Sequence, residues 1–191
     1  IPLRRFAAAA IVAEALAAAF MTYRVATAPF VHRFHNADTV AMHVAMPDGT
    51  DVWLSPGTTL SYDDTFRIDG RNVELDGEAY FEVEHDARRP FVVVTGQVVS
   101  TVLGTTFNVH AYSEDENYQI TLATGSLLVD GGPESRSVRL RPGEQGFFER
   151  TSGLLSLRRV NVEQVLSWQE DRLYFRAEPL ASIARSLERQ F

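Results

Sequence analysis

The chain has no cysteine among its 191 residues and no lysine either, so all 18 basic side chains are arginine. The first absence excludes disulfides, thiolate nucleophiles and zinc–thiolate centres, and it leaves the redox compartment open. The second carries no functional reading, and a biased genomic base composition accounts for it. Positive charge is scarce overall. With 25 acidic residues against those 18, the formal net charge is -7. That balance argues against direct binding to nucleic acid, which rests on clustered cations neutralising phosphates. A phosphate-cradling glycine loop and a Gly-x-Ser-x-Gly nucleophile elbow are also missing. Nothing in the sequence demands catalysis, and no cofactor is expected.

Long apolar runs are confined to one place. Arg4 and Arg5 precede Phe6 to Tyr23, 18 residues whose only charge is Glu14. A membrane span needs about 20 predominantly apolar residues, so the length just suffices. Nine of these residues are the weakly hydrophobic alanine, and a central carboxylate costs on the order of 2.5 to 3.5 kcal/mol on insertion. The expected state is a single-pass anchor with Arg4 and Arg5 on the cytoplasmic side, placing the chain beyond Arg24 outside the cytoplasm. A cleaved signal peptide and an amphipathic or core helix are the alternatives. The chain opens on Ile1 rather than Met, as a fragment or a processed chain does.

From Thr39 to Phe148 the pattern is strands. Val40, Met42, Val44 and Met46 alternate with polar positions, Pro47-Asp48-Gly49-Thr50 reads as a turn, and Val52-Leu54 resumes the alternation around Trp53. Ser55-Pro56-Gly57 is the next turn. Asp76-Gly77 carries a strong hairpin signal, because both residues tolerate positive φ. Ala79-Phe81-Val83 and Phe91-Val93 read as half-buried strands around a charged turn, His85 to Arg89, with Pro90 at a strand start. Gly104 is expected in a turn or bulge joining a further strand pair. Glycine corners recur near Gly77, Gly125 and Gly143, a weak internal repeat. Many short strands with frequent turns imply a mainly β fold, an antiparallel β-sandwich or jelly roll, with a β-solenoid as the alternative.

After Arg150 the texture changes. Asn161 to Trp168 reads as a short helix, Arg172 to Arg176 as a strand, and Pro179 to Gln190 as a helix with Leu180, Ile183, Ala184, Leu187 and Phe191 at helical spacing. The expected organisation is a flank and span over 1–24, a linker or first edge strand over 25–38, a β-domain over 39–158 and the start of a small α/β domain over 159–191.

Candidate chemistry is thin. His32 and His35 have metal-like spacing only on a helix, and no carboxylate lies near before Asp38. A cupin-like centre on His110 and Glu114 lacks its second imidazole, since Tyr112 stands there. Glu78, Glu82 and Glu84 alternate with Ala79, Phe81 and Val83, which describes a wet face over a buried one better than a glycosidase pair. Asp63-Asp64 and Glu114-Asp115-Glu116 read as loop charges that could take calcium. Trp53, Tyr62, Tyr80 and Phe107 would form a carbohydrate platform if exposed in a row, and a sugar-binding module is the principal alternative function.

Several ordered motifs together carry a family resemblance. They are Met46-Pro-Asp-Gly-Thr50 with Val52-Trp-Leu54, Arg71-x-Val73-x-Leu75-x-Gly77-Glu-Ala-Tyr-Phe-Glu-Val83, Arg89-Pro-Phe91, Val102-Leu-Gly-Thr-x-Phe-Asn-Val109 with Ala111-Tyr112, Thr121-Leu122 with Gly125-Ser126, and Leu140-x-Pro-Gly-Glu-Gln145. Together they resemble the extracytoplasmic part of FecR-type anti-sigma regulators. Trp168-x-x-x-Arg172-Leu-Tyr-Phe175 with Pro179-Leu180 is similar to the start of the C-terminal domain found in many of them.

The resemblance implies a regulator that spans the inner membrane once. It would receive a signal in the periplasm from the signalling domain of a TonB-dependent outer-membrane receptor. A cytoplasmic region, not represented in these residues, would hold an extracytoplasmic-function sigma factor and so control uptake genes. Leu173, Tyr174 and Phe175 are the candidate protein-contact residues, and Phe6, Glu14 and Tyr23 mark the membrane span.

Overall fold

A computed structural model of the chain describes residues 30–66, 68, 70–132, 135–170 and 180–190. The membrane-span candidate Phe6 to Tyr23 and the contact candidates Leu173 to Phe175 lie outside these residues. Among those described, no helix is long and apolar enough to cross a membrane.

Among the described residues, thirteen strands build the domain: β1 (Val31–His35), β2 (Met42–Ala45), β3 (Asp51–Leu54), β4 (Thr59–Asp63), β5 (Arg71–Glu82), β6 (Phe91–Thr95), β7 (Val98–Val102), β8 (Thr106–Ala111), β9 (Asn117–Thr124), β10 (Leu127–Asp130), β11 (Val138–Leu140), β12 (Glu144–Glu149) and β13 (Leu154–Arg159). They form two sheets that share β5. The first runs β1-β4-β5-β6-β7-β10-β11, and the second runs β2-β3-β5-β8-β9-β12-β13. The β1 segment is thus an edge strand. Antiparallel meanders rather than stacked parallel coils distinguish this arrangement from a β-solenoid.

The 12-residue strand β5 makes the fold possible because it is apolar on one face along most of its length. Arg71, Val73, Leu75, Gly77, Ala79 and Phe81 are buried in strict alternation. Its first half pairs with β4 and β6, its second with β3 and β8. The switch falls at Gly77, whose φ of +129° suits glycine. Asp76-Gly77 is therefore not a hairpin turn. Inside the folded sheets lie Val52, Leu54, Leu60, Phe81, Phe91, Phe107, Ile120, Leu122, Leu127 and Phe148, all essentially inaccessible. Phe81 stacks on Phe107 at 4.9 Å and meets Phe91 edge-on at 6.0 Å, joining both sheets through aromatic contacts.

Two expectations about pairing are corrected. Phe91-Val93 does not return antiparallel against Ala79-Phe81-Val83; β6 pairs in parallel with the first half of β5, Arg71 opposite Phe91. The 83–90 connection crosses the end of the domain instead of closing a hairpin. Likewise β7 and β8 are not partners across Gly104. They belong to different sheets, and Gly104 is small because His85 lies against it, its Cα within 2.7 Å of where a Cβ would be.

A buried ion pair holds that crossing. The Arg71 guanidinium, 1 % exposed, donates from Nη1 to Asp48 Oδ2 at 3.0 Å and to the Glu84 carbonyl at 2.7 Å, and from Nε to the Arg89 carbonyl at 2.9 Å. Asp48 accepts further bonds from the Thr50 amide and hydroxyl at 3.0 and 2.9 Å, and the Thr50 hydroxyl accepts the Glu84 amide at 3.1 Å. The β2–β3 turn, the start of β5 and the crossing segment are thus tied through one network. A buried charge is tolerated only with such compensation.

Candidate functional site

The outer face of the second sheet carries most of the half-buried polar chemistry. Cross-strand register lines up His43, Trp53, Tyr80, Asn108, Thr121, Gln145 and Arg158 as a single row across seven strands. Beside this row Glu78 stands opposite His110, and His110 opposite Gln119.

Half of the row is roofed by the C-terminal segment. Asn161 caps a short helix, Val162–Val165, by accepting the Gln164 amide, and a 3-10 turn, Leu166–Glu170, continues it. That turn sets Trp168 on the sheet, 5 % exposed, with its indole N–H donating to Asn108 Oδ1 at 3.2 Å. Asn108, Thr121 and Gln145 are buried although they point away from the core. Each is satisfied: Asn108 donates to Glu78 Oε1 at 2.9 Å, Gln145 donates to Thr121 at 2.7 Å, and Arg158 donates to Gln145 at 2.6 Å.

Next to Trp168 is a chain of alternating charges. His110 lies between two carboxylates, Nδ1 at 3.1 Å from Glu78 Oε2 and Nε2 at 3.1 Å from Asp115 Oδ2. The far oxygen of Asp115 accepts Arg185 Nε at 3.0 Å, from the helix Leu180–Gln190. Arg150 donates to the backbone carbonyls of Ser113 and Asp115, fixing the loop that presents the carboxylate. Burial pushes the His110 imidazole toward neutrality, but the carboxylates of Glu78 and Asp115 outweigh it and raise the group to about 10. Both ring nitrogens then donate, which matches two acceptors at equal distance.

This cluster makes stability depend on pH. A folded-state value raised from 6.5 to about 10 gives stability that is fully present below about 6.5 and is lost as pH climbs through 10. The difference in melting temperature between the wild type and His110→Gln is expected to be largest near pH 6 and to shrink toward pH 10.5. A difference that stays constant over that range contradicts the charged clasp.

The fold scatters most of the residues that sequence alone singles out. Glu78 is drawn into the His110 cluster and is not part of a plain wet face, while Glu82 and Glu84 are exposed. Glu114 is exposed and Tyr112 turns its hydroxyl to the Pro56 carbonyl at 2.8 Å, so neither joins His110 in a cupin-like arrangement. No group of three His, Asp or Glu side chains among the described residues is arranged to hold a metal. His32 stacks on Tyr62 at 4.9 Å, whereas His35 bonds Thr59 at 3.0 Å. The aromatic platform is split: Trp53 and Tyr80 are neighbours at 5.6 Å, Phe107 is core, and Tyr62 belongs to the other sheet. The C-terminal helix keeps Leu180 and Leu187 largely exposed, 84 % and 42 %.

Comparison with known proteins gives consistent findings. Residues 34–128 match the family described as FecR protein. Two crystal structures of proposed anti-sigma factors from Parabacteroides distasonis are similar to this chain. One has a TM-score of 0.80 at 37% identity, over 85% of this chain and 75% of the other. The second has a TM-score of 0.78 at 38% identity, over 83% of this chain and 74% of the other. Among proteins with curated functions, none matches.

Proposed function

This chain belongs to the FecR protein family, and from that premise we propose that it is the periplasmic receiving and relaying part of a single-pass inner-membrane anti-sigma regulator. Its output is a protein contact and not a reaction. In this reading Phe6 to Tyr23 is the anchor. A TonB-dependent outer-membrane receptor delivers the signal through its signalling domain, and a cytoplasmic region preceding the span restrains an extracytoplasmic-function sigma factor for uptake genes.

The observation that carries this reading is the seating of the C-terminal segment on the β-domain. Two polar contacts span 60 and 70 residues of sequence, Trp168 to Asn108 and Arg185 to Asp115. The Trp168 contact is buried and the Arg185 contact partly so, while the helix leaves Leu180 and Leu187 uncovered. A partner that engages the C-terminal segment acts directly on this joint and can shift how the segment sits on the sheet. Strand addition along Leu173-Tyr174-Phe175 is the physically reasonable mode of engagement, with backbone bonds for affinity and alternate side chains for specificity. Deleting Asp171 to Phe191 is expected to abolish calorimetric binding to the signalling domain of the cognate receptor. Unchanged affinity contradicts that placement of the contact.

A further inference from the structure

The uncovered half of the outer row has a composition of its own. His43, Trp53 and Tyr80 stand side by side on β2, β3 and β5, with ring centroids 5.0 and 5.6 Å apart and planes tilted by 38° and 48°. His43 is exposed, and Trp53 and Tyr80 are half-buried. Immediately beside this row Asp51 on β3 is the register partner of Glu82 on β5, both on the outer face. Like charges directly opposed on adjacent strands repel. The chain offers this pair only partial relief: His43 Nε2 lies 2.7 Å from Asp51, and the Tyr80 hydroxyl donates to Glu82 at 3.3 Å. The far end of the same sheet displays the complementary contact within the molecule, the Arg158 guanidinium 4.3 Å from the centroid of the Phe147 ring.

We propose that Trp53 and Tyr80, flanked by Asp51 and Glu82, form a docking surface for a basic segment of a partner polypeptide, which lays an arginine or lysine side chain over the rings and between the carboxylates. The charge complementarity is direct. An aromatic face attracts a cation, the indole most strongly, and two opposed carboxylates supply the counter-charge. Among the described residues edge strand β2 pairs only with β3, so its outer backbone groups stand beside the row and are placed to bond an extended segment. The tilt between the rings disfavours the flat stacking that a sugar platform needs. The surface lies on the β-domain, and its occupancy does not depend on what binds at Leu173 to Phe175.

The test is calorimetric titration of the full chain with a synthetic decapeptide alternating arginine and threonine, beside one alternating glutamate and threonine and beside chitohexaose. The basic peptide is expected to bind, and the other two are not. Trp53→Ala and Glu82→Lys should each weaken binding by about tenfold, while Glu74→Lys, an equal charge change at an exposed site on the other sheet, leaves it unchanged. If Trp53→Ala does not fold, the exposed Glu82→Lys decides. No binding of the basic peptide at about 1 mM, equal binding of the acidic peptide, binding of chitohexaose in its place, or equal weakening by both lysine variants overturns the proposal.

Discussion

Replacing Asp48 with alanine is expected to lower the stability of the β-domain by about 3 to 5 kcal/mol, a fall in melting temperature of about 10 °C. The substitution removes a side chain of only a few atoms, so the lost contacts of Asp48 itself do not explain that size. The effect comes from what remains. Arg71 stays 1 % exposed, with its charge uncompensated, and Nη2 of the same guanidinium has no hydrogen-bond partner among the described residues even with Asp48 present. Thr50 loses two bonds to the carboxylate at the same time, and its own bond to the Glu84 amide is left without an anchor. A second substitution separates the causes. Removing both charges in Asp48→Ala with Arg71→Met is expected to be less destabilising than the sum of the two single variants, because no unpaired charge is left behind. Chemical denaturation of the four proteins measures this. A single Asp48→Ala cost below about 1 kcal/mol shows that the guanidinium reaches water or another acceptor, contrary to the geometry described.

Gly77→Ala is expected to cost about as much, by a different route. At φ +129° a side chain is strained wherever it points, and here it points into Thr58: a Cβ would lie 2.6 Å from the Thr58 Cα and 2.5 Å from its hydroxyl. Thr58 cannot yield easily. It is fully buried, donates its hydroxyl to the Glu78 carbonyl at 3.0 Å and accepts the Glu78 amide at 2.9 Å. Gly143→Ala is the matched control, with φ +82° and nothing within 4 Å of the added methyl. It should cost about 1 kcal/mol for the backbone alone, against about 3 to 5 for Gly77→Ala. Equal costs at the two sites contradict the claim that β5 passes through Gly77 in contact with the β3–β4 turn.

The elements most legible in the sequence are those built from local pattern. Alternation placed β3 and β6 correctly and β2 in part, since Val44 and Met46 are buried but Val40 and Met42 are exposed, and Pro47-Asp48-Gly49-Thr50 is the β2–β3 turn that its residues imply. Asp76-Gly77 misleads because its dipeptide statistics favour a hairpin. A hairpin would send the chain back along the strand it had just left, yet Val73 and Leu75 before Gly77 and Ala79 and Phe81 after it keep one phase. That unbroken phase is the signal for a continuous strand. It also places Arg71 on the apolar face, so a buried arginine was readable from the same periodicity, though its partner Asp48 was not. The cluster of Glu78, His110, Asp115 and Arg185 has no such signal. Its members come from separate strands, a loop and a helix, and only the fold brings them together. The family resemblance worked where residue-by-residue chemistry did not, since ordered glycines, aromatics and the Asp48 and Arg71 positions record packing demands rather than a reaction.

In the proposed function, partner binding is relayed through the joint between the C-terminal segment and the outer face of the second sheet. Hydrogen exchange of the full chain is compared with and without the signalling domain of the proposed receptor. Altered protection is expected over Asn161 to Glu170, in the helix Leu180–Gln190 and in β8 around Asn108 to Ala111, with β6 and β7 in the other sheet unaffected. A saturating receptor domain that leaves the exchange of those segments unchanged contradicts the relay.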